Sequence, residues 1–360
     1  MSRQMSRVVS FIAIVALTAT LGRGAITIDD AIVLGSDRLV ATQAGNGAWP
    51  GSQSFTGPII AGLANAYGME GANEYKTAAE DGGAYILNTA GGNFLGDEAY
   101  GLATLSEISA DPSNNAWRTA VGNFYTAVKH SGGGTLGYIN ALRSGYAEDS
   151  QPLLYLAHHA LAAFYANAVD KSLWRQGVIN TLADVDDNDG VPVMSLGAAV
   201  WALALTGDLD GAAITNDAGS YWYGMTLADL PAELAGHQVP SSDTYGNSFY
   251  WRFDHTNGGD PGSYAAGYTE DTVFGTMGLI GAGSTASWSY DSEIQRAREV
   301  LAFGVDDTLG NAGNVYLHGW EGGGSHYAYI GETLQALPEP TALFMLGLGG
   351  MMLRVQRRRM

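Results

Sequence analysis

Apolar positions recur every three or four residues through most of the chain from residue 28 to 334, and glycine or Asn/Ser clusters interrupt them. That spacing predicts helices that bury one face, separated by turns. Ile32, Val33, Leu39 and Val40 share a helical period over residues 28–41, and Ile59, Ile60, Leu63 and Tyr67 over 56–67. Residues 75–87 are Ala-rich, and 97–108 carry Tyr100, Leu102, Leu105 and Ile108 at the same period. Further along, 116–129 pairs with 152–168 across a Gly-rich link, and 173–182 with 194–205. Residues 221–234 pair with 270–280 across a longer insertion, and 293–303 with 326–334. These are six hairpins. Closed on themselves they make an all-α (α/α)6 toroid, expected over residues 25–336.

The hairpins also repeat at low fidelity. Gln43, Gly47 and Trp49 recur as Asn88, Gly92 and Phe94 at an offset of 45 residues, each set an amide, a glycine and an aromatic ring at fixed spacing. A period of this size suits a two-helix repeat. The first set resembles the Gln-x3-Gly-x-Trp motif of squalene–hopene cyclases, and with it the terpenoid cyclase and prenyltransferase-like superfamily of toroids. The resemblance implies a scaffold role, in which the amide bonds loop backbone and ties two hairpins together. Asp184-Val185-Asp186-Asp187 spells the acid motif of those cyclases. It runs on into Asn188-Asp189-Gly190, so a solvated polar turn is the simpler reading. Ca2+ is the one cofactor such a loop could hold, although Val185 stands where a first ligand belongs; none is otherwise evident.

Both ends read as sorting segments. Arg3 and Arg7 precede an apolar stretch from Val8 to Leu21 and small residues at Gly22, Gly24 and Ala25. That is the pattern of a secretory signal peptide over residues 1–24, with Sec export its implied partner. At the other end, Pro338-Glu339-Pro340 is followed by an apolar run over 341–353 and by Arg354, Arg357, Arg358 and Arg359. This resembles the PEP-CTERM sorting signal of Gram-negative bacteria over residues 337–360. The resemblance implies an exosortase-type protease as partner, a transient inner-membrane anchor helix, and delivery to the cell surface or its matrix. The apolar run is 13 residues, short of the roughly 20 that cross a bilayer.

Removing both ends sharpens the charge. The core keeps 10 basic and 35 acidic residues. Such a surface repels nucleic acid and anionic lipid. There are no cysteines, which excludes disulfides, thiol nucleophiles, Cys-ligated zinc and thioester chemistry.

Candidate chemistry gathers at the starts of the second helices. Asp97-Glu98, Glu148-Asp149 and Glu270-Asp271 would ring one mouth of a toroid. Two carboxylates at suitable separation can share acid and base roles on a sugar bond. Acids in a first helical turn also simply cap the backbone and match its dipole. Tyr100, Tyr155, Phe274 and Tyr327 fall near the same starts, and their faces suit sugar rings or a core equally. In the insertion, Arg252 could neutralise a uronate, with Asp254 beside it, and His255 could act as a base. His318, Glu321 and His326 cluster around Trp320 before the last helix, and these three could move protons or bind a metal; a glycine turn with surface histidines is the simpler reading. His158-His159 reads as helix packing.

Two functions follow. One is an exported surface protein without catalysis that binds exopolysaccharide through an aromatic, acidic mouth. The other is a polysaccharide lyase or glycoside hydrolase, with Arg252, Asp254, His255, Glu270, Asp271 and His326 as catalytic candidates and Asp97, Tyr100, Asp149, Tyr155, Phe274, Trp320 and Tyr327 contacting the glycan.

Overall fold

Two kinds of helix alternate along the chain. Some are buried on every side: α2 (Thr56–Glu70) buries each residue from Thr56 to Ala66, and α9 (Val193–Thr206) is buried from Ser195 to Ala204. Others bury a single stripe. α5 (Ala116–Lys129) hides Val121, Phe124, Tyr125 and Val128 and leaves the rest half-buried or exposed. All-round burial belongs at the centre of a protein and a stripe belongs at its surface. A computed structural model describes residues 26–145, 151–184, 191–243, 246–250, 252–253, 269–285, 289–308, 312–313, 315 and 327–337.

Within these residues the remaining helices are α1 (Ile28–Thr42), α3 (Asn73–Thr89), α4 (Gly96–Glu107), α6 (Gly134–Gly145), α7 (Gln151–Tyr165), α8 (Lys171–Asp184), α10 (Leu230–Gly236), α11 (Thr269–Thr285), α12 (Asp291–Phe303) and α13 (Tyr327–Ala336). An inner ring closes in the order α2, α4, α7, α9, α11, α13 and back to α2. The outer layer fills the grooves: α1 lies on α2 and α13, α3 on α2 and α4, α8 on α7 and α9, α10 on α9 and α11, and α12 on α11. This is the (α/α)6 toroid.

The inner helices meet start to start, so they run parallel. Gly57 near the start of α2 abuts the Asp97 backbone near the start of α4, and the Met194 N–H donates to Asp271 Oδ1 across the starts of α9 and α11. Small residues permit this. A Cβ on Gly57 would lie 2.4 Å from the Asp97 carbonyl, and one on Gly62 would lie 2.2 Å from the Gly331 oxygen. The second contact closes the ring, helped by Gln335 Nε2 donating to the Pro58 carbonyl at 3.2 Å.

The Gln43 motif acts as a tie. Gln43 Nε2 donates to the Gly47 and Ala78 carbonyls, both at 2.9 Å, and Trp49 Nε1 donates to the Leu39 carbonyl at 2.8 Å. Gly47 has φ +87°, and a Cβ there would strike the Asp81 carbonyl. The second copy keeps its ring and its glycine turn but not the amide tie: Phe94 is buried beside Phe124 and Gly92 also has φ +87°, while Asn88 is exposed.

Two expectations need correcting. The Gly-rich link after residue 129 contains a helix, α6, which packs on α5, α7 and α8. Leu136, Ile139 and Leu142 hold its period, and Gly177 of α8 leaves room for Ile139. Residues 221–234 are not one helix. Bridges pair Ala213 with Thr226 and Thr215 with Tyr223, and only α10 is helical, after a short 3-10 turn at Leu227–Asp229. Asp229 side-chain bonds to Thr226 and the following Pro231 make a helix start there, not a continuation. A two-residue antiparallel ladder, β1 (Val191–Pro192) with β2 (Arg252–Phe253), ties the insertion to the start of α9.

Candidate functional site

Helix phase decides which side chains face the axis of the ring. On α4, Gly101 faces α2, Gly96 faces α7 and Leu105 packs under Gly83 of α3. At about 100° per residue, Asp97 and Tyr100 fall on the fourth side, toward the axis. On α2, Gly57 faces α4, Gly62 faces α13 and Ile60 packs on Gly82 of α3, which leaves Asn65 facing inward.

Four inner helices contribute rings to one axial layer. Tyr100 (α4) stands 4.9 Å from Trp201 (α9) and 5.5 Å from His158 (α7), measured between ring centroids. His158 in turn lies 5.8 Å from Phe274 of α11. All four are buried. The centre of the toroid is therefore closed by aromatic rings below the helix starts.

The acids at the mouth divide by their partners. Glu98 Oε2 accepts the Leu95 backbone N–H at 3.0 Å, which is capping. Asp271 is buried and accepts the Met194 N–H, holding the start of the neighbouring inner helix. Asp97 differs. It is 7% exposed, and its Oδ1 has no hydrogen-bond partner. Burial, reinforced by the charge of Glu98, raises its carboxyl to about 7 against the pull of the Asp97 and Glu98 backbone N–H groups. Burial also raises Glu98, with the Leu95 N–H opposing it.

Other buried polar groups line the axis. Asn65 Nδ2, His158 Nδ1 and Gln335 Oε1 have no hydrogen-bond partner either. Burial alone lowers His158 to about 3, so its imidazole is neutral. Glu332, one residue beyond the Gly331 seam, is 6% exposed. An unsatisfied buried polar group costs about 1–3 kcal/mol, so such a set on one face marks a polar lining.

The sequence candidates are distributed unevenly. Asp97, Tyr100 and Phe274 come to the axis together. Glu270 is half-buried in the first turn of α11, Tyr155 is half-buried in α7, and Tyr327 begins α13. Arg252 is described only in its backbone, paired with Pro192. Glu148, Asp149, Asp254, His255, His318, Trp320, Glu321, His326 and the sorting residues Pro338, Glu339, Pro340, Arg357, Arg358 and Arg359 lie outside the described residues. Asp184 ends α8 in an ion pair with Arg143, and the rest of that acidic stretch lies outside them too. Among the described residues no group of three or more His, Asp or Glu could hold a metal. The sequence reading missed Asn65, Trp201, Glu332 and Gln335, and it assigned both His158 and His159 to packing, which holds for His159. A polar residue inside an otherwise apolar helix was the available signal. Two surface grooves, of about 550 Å³ beside Gln238, Tyr290 and Arg296 and about 500 Å³ beside Asp29, Asp30 and Glu70, lie away from the mouth.

No protein-family model matches the chain, and no curated protein matches it. One solved structure resembles it: an inactive variant of α-1,6-mannanase, GH76A of Salegentibacter sp. HEL1_6, in complex with α-1,6-mannotriose. The TM-score is 0.53 at 12% identity, covering 88% of this chain and 99% of that one. The shared feature is the toroid. The likeness is to a glycoside hydrolase, whereas the cyclase resemblance stays confined to Gln43, Gly47 and Trp49. That variant carries two aspartate-to-asparagine changes at adjacent positions.

Proposed function

We propose that this protein binds glycan at the mouth formed by its inner-helix starts and hydrolyses it there. The observation that carries the reading is Asp97, a buried carboxyl on the axial face with a free Oδ1 and a proton held to about pH 7. A carboxylic acid in that state can protonate a glycosidic oxygen at neutral pH. The pair Glu270–Asp271 on α11 supplies the second carboxylate. It would either direct water onto the anomeric carbon or attack it first, the hydroxyl of water ending on that carbon and the proton on the leaving oxygen. The toroid likeness to an α-1,6-mannanase, and the pair of adjacent aspartates changed in its inactive form, support the same reading. Non-catalytic glycan binding through Tyr100, Tyr155, Phe274 and Tyr327 is the second reading, favoured by the Met194 and Leu95 caps that already occupy Asp271 and Glu98.

Release of reducing ends decides between them. The full chain is incubated with α-1,6-mannan and with other neutral and uronic polysaccharides. The hydrolase reading expects cleavage of a neutral glycan that Asp97→Asn abolishes without loss of binding. No release from any glycan, or unchanged release by Asp97→Asn, refutes it.

The two sorting segments extend the proposal to place: export, and surface delivery through the 337–360 tail. No described helix is long and apolar enough to cross a membrane. Mass spectrometry of the mature chain from a native host checks this; intact ends at both residue 1 and residue 360 would contradict it.

A further inference from the structure

Phe55 and Leu95 are exposed, at 41% and 45%, although both are large and apolar. Exposed apolar side chains are ordinary when scattered, as Leu136, Val169 and Phe303 are here. These two are not scattered. Each is the residue just before an inner helix, α2 and α4 respectively. Those two helices touch at the Gly57–Asp97 seam, where backbone meets backbone. Phe55 is two residues from Gly57 and Leu95 two from Asp97, so each Cα lies within about 7 Å of the seam. Each therefore starts close to Asp97, whose Oδ1 has no hydrogen-bond partner.

Charge selects what can rest there. The first turns of α4 and α11 carry Asp97, Glu98, Glu270 and Asp271. No Lys or Arg stands in the first turn of any inner helix, although the Arg252 backbone pairs with Pro192 just before α9, and the whole chain has a net charge of −19. A uronate would approach against that field. A neutral sugar would not, and the apolar face of its ring suits an aromatic side chain.

We propose that Phe55 and Leu95 form an apolar step on which a neutral hexose ring stacks, beside Asp97, and that this step gives the site its preference for neutral over uronic glycans. The inference rests on the glycan reading of the mouth and deepens it. Phe55 is a binding residue in this account, and its ring makes the main contact.

The test measures affinity of the full chain for α-1,6-mannotriose and for trigalacturonate by calorimetry. Phe55→Ala is expected to weaken mannotriose about three- to tenfold, Phe55→Tyr to restore it, and Phe303→Ala to leave it unchanged. Trigalacturonate is expected to bind wild type more weakly than mannotriose does. Wild-type affinity in Phe55→Ala overturns the proposal, as does tighter binding of trigalacturonate or no binding of either saccharide. Loss of a wild-type dimer in Phe55→Ala with unchanged saccharide affinity would assign the step to a second copy and overturn it too. Mannotriose bound through Phe55 but never cleaved would sustain the step and sink the hydrolase. Cleavage by Phe55→Ala with an unchanged KM would do the reverse.

Discussion

His158 and His159 are neighbours on α7 and are equally hidden, at 4% and 1% exposure, yet they belong to different regions. His159 faces outward into a cluster drawn from α5, α6 and α8. Phe124 stacks on it at 5.6 Å and 12°, Trp174 lies 4.9 Å away, and Tyr138 meets it edge-on. The Tyr125 hydroxyl sits 3.1 Å from its Nδ1 and donates to its carbonyl at 3.0 Å. His158 faces the axis, among rings of comparable quality, but its Nδ1 has no partner. Burial lowers both imidazoles to about 3, with the neighbouring His158 adding slightly for His159. Burial alone therefore does not separate structure from function in this chain. For these two histidines, satisfaction of polar atoms does: the outer one is bonded and the axial one is not, and the axial face gathers Asn65, Asp97, His158 and Gln335 with free atoms. Outside the axis, among the described residues, Trp174 Nε1, Arg175 Nε, Ser36 Oγ and Arg38 Nε on the outer helices α8 and α1 also lack a partner, so a free atom counts here only together with its place on the axial face.

The widest separation of the two regions is expected at Asp97. Asp97→Asn should cut glycan hydrolysis by about 10²–10⁴-fold, the usual worth of a proton donor. It should also stabilise the protein at alkaline pH. The folded carboxyl is raised from 3.8 to about 7, so its contribution is fully present below 3.8 and is lost as pH rises through 7. Above that the buried charge costs up to about 4 kcal/mol, which denaturant unfolding at pH 8.5 measures. A variant both inactive and less stable would erase the distinction between the axial and outer regions.

Gly57→Ala should cost about 1–3 kcal/mol, because the added Cβ meets the Asp97 backbone at 2.4 Å and the ring has to open there. His159→Leu should cost about 1–2 kcal/mol through the lost Tyr125 hydroxyl bond and the Phe124 stack. His158→Leu should cost less than about 1 kcal/mol, since it removes a polar atom that had no partner. The order of these last two, read by urea unfolding, is the sharpest stability test of the comparison.

The last effect is a slope. Each histidine's folded pKa lies near 3, below the usual 6.5. The unfolded chain therefore binds the extra protons, and stability present above pH 6.5 is lost as pH falls. Between pH 6.5 and 5, His159→Leu should lose about 1 kcal/mol less per pH unit than wild type, rising toward about 1.4 at the acid end. Equal slopes would mean that His159 titrates normally.

Much of this was legible in the chain. The sequence pattern located eleven of the twelve hairpin helices, and residues 116–129 matched α5 end to end. The period failed where glycine outweighed it, as at Gly134 and Gly137 in α6, and where apolar residues crowd without a period, as in 221–234. It also could not tell the axial from the outer side of α2, α7 or α9, because helices buried all round carry no stripe. Asn65 and His158 therefore looked like core. Asp97 was legible as a first-turn acid, but its free oxygen was not, since that depends on the Gly57 seam, 40 residues away in sequence.

The central claim is that Asp97 keeps its proton near neutrality in a buried mouth. Infrared difference spectra between wild type and Asp97→Asn, taken across pH, follow the carbonyl stretch of that protonated carboxyl directly. The account predicts a band that disappears with a midpoint near 7. A midpoint near 4, the value of an exposed aspartate, would contradict it.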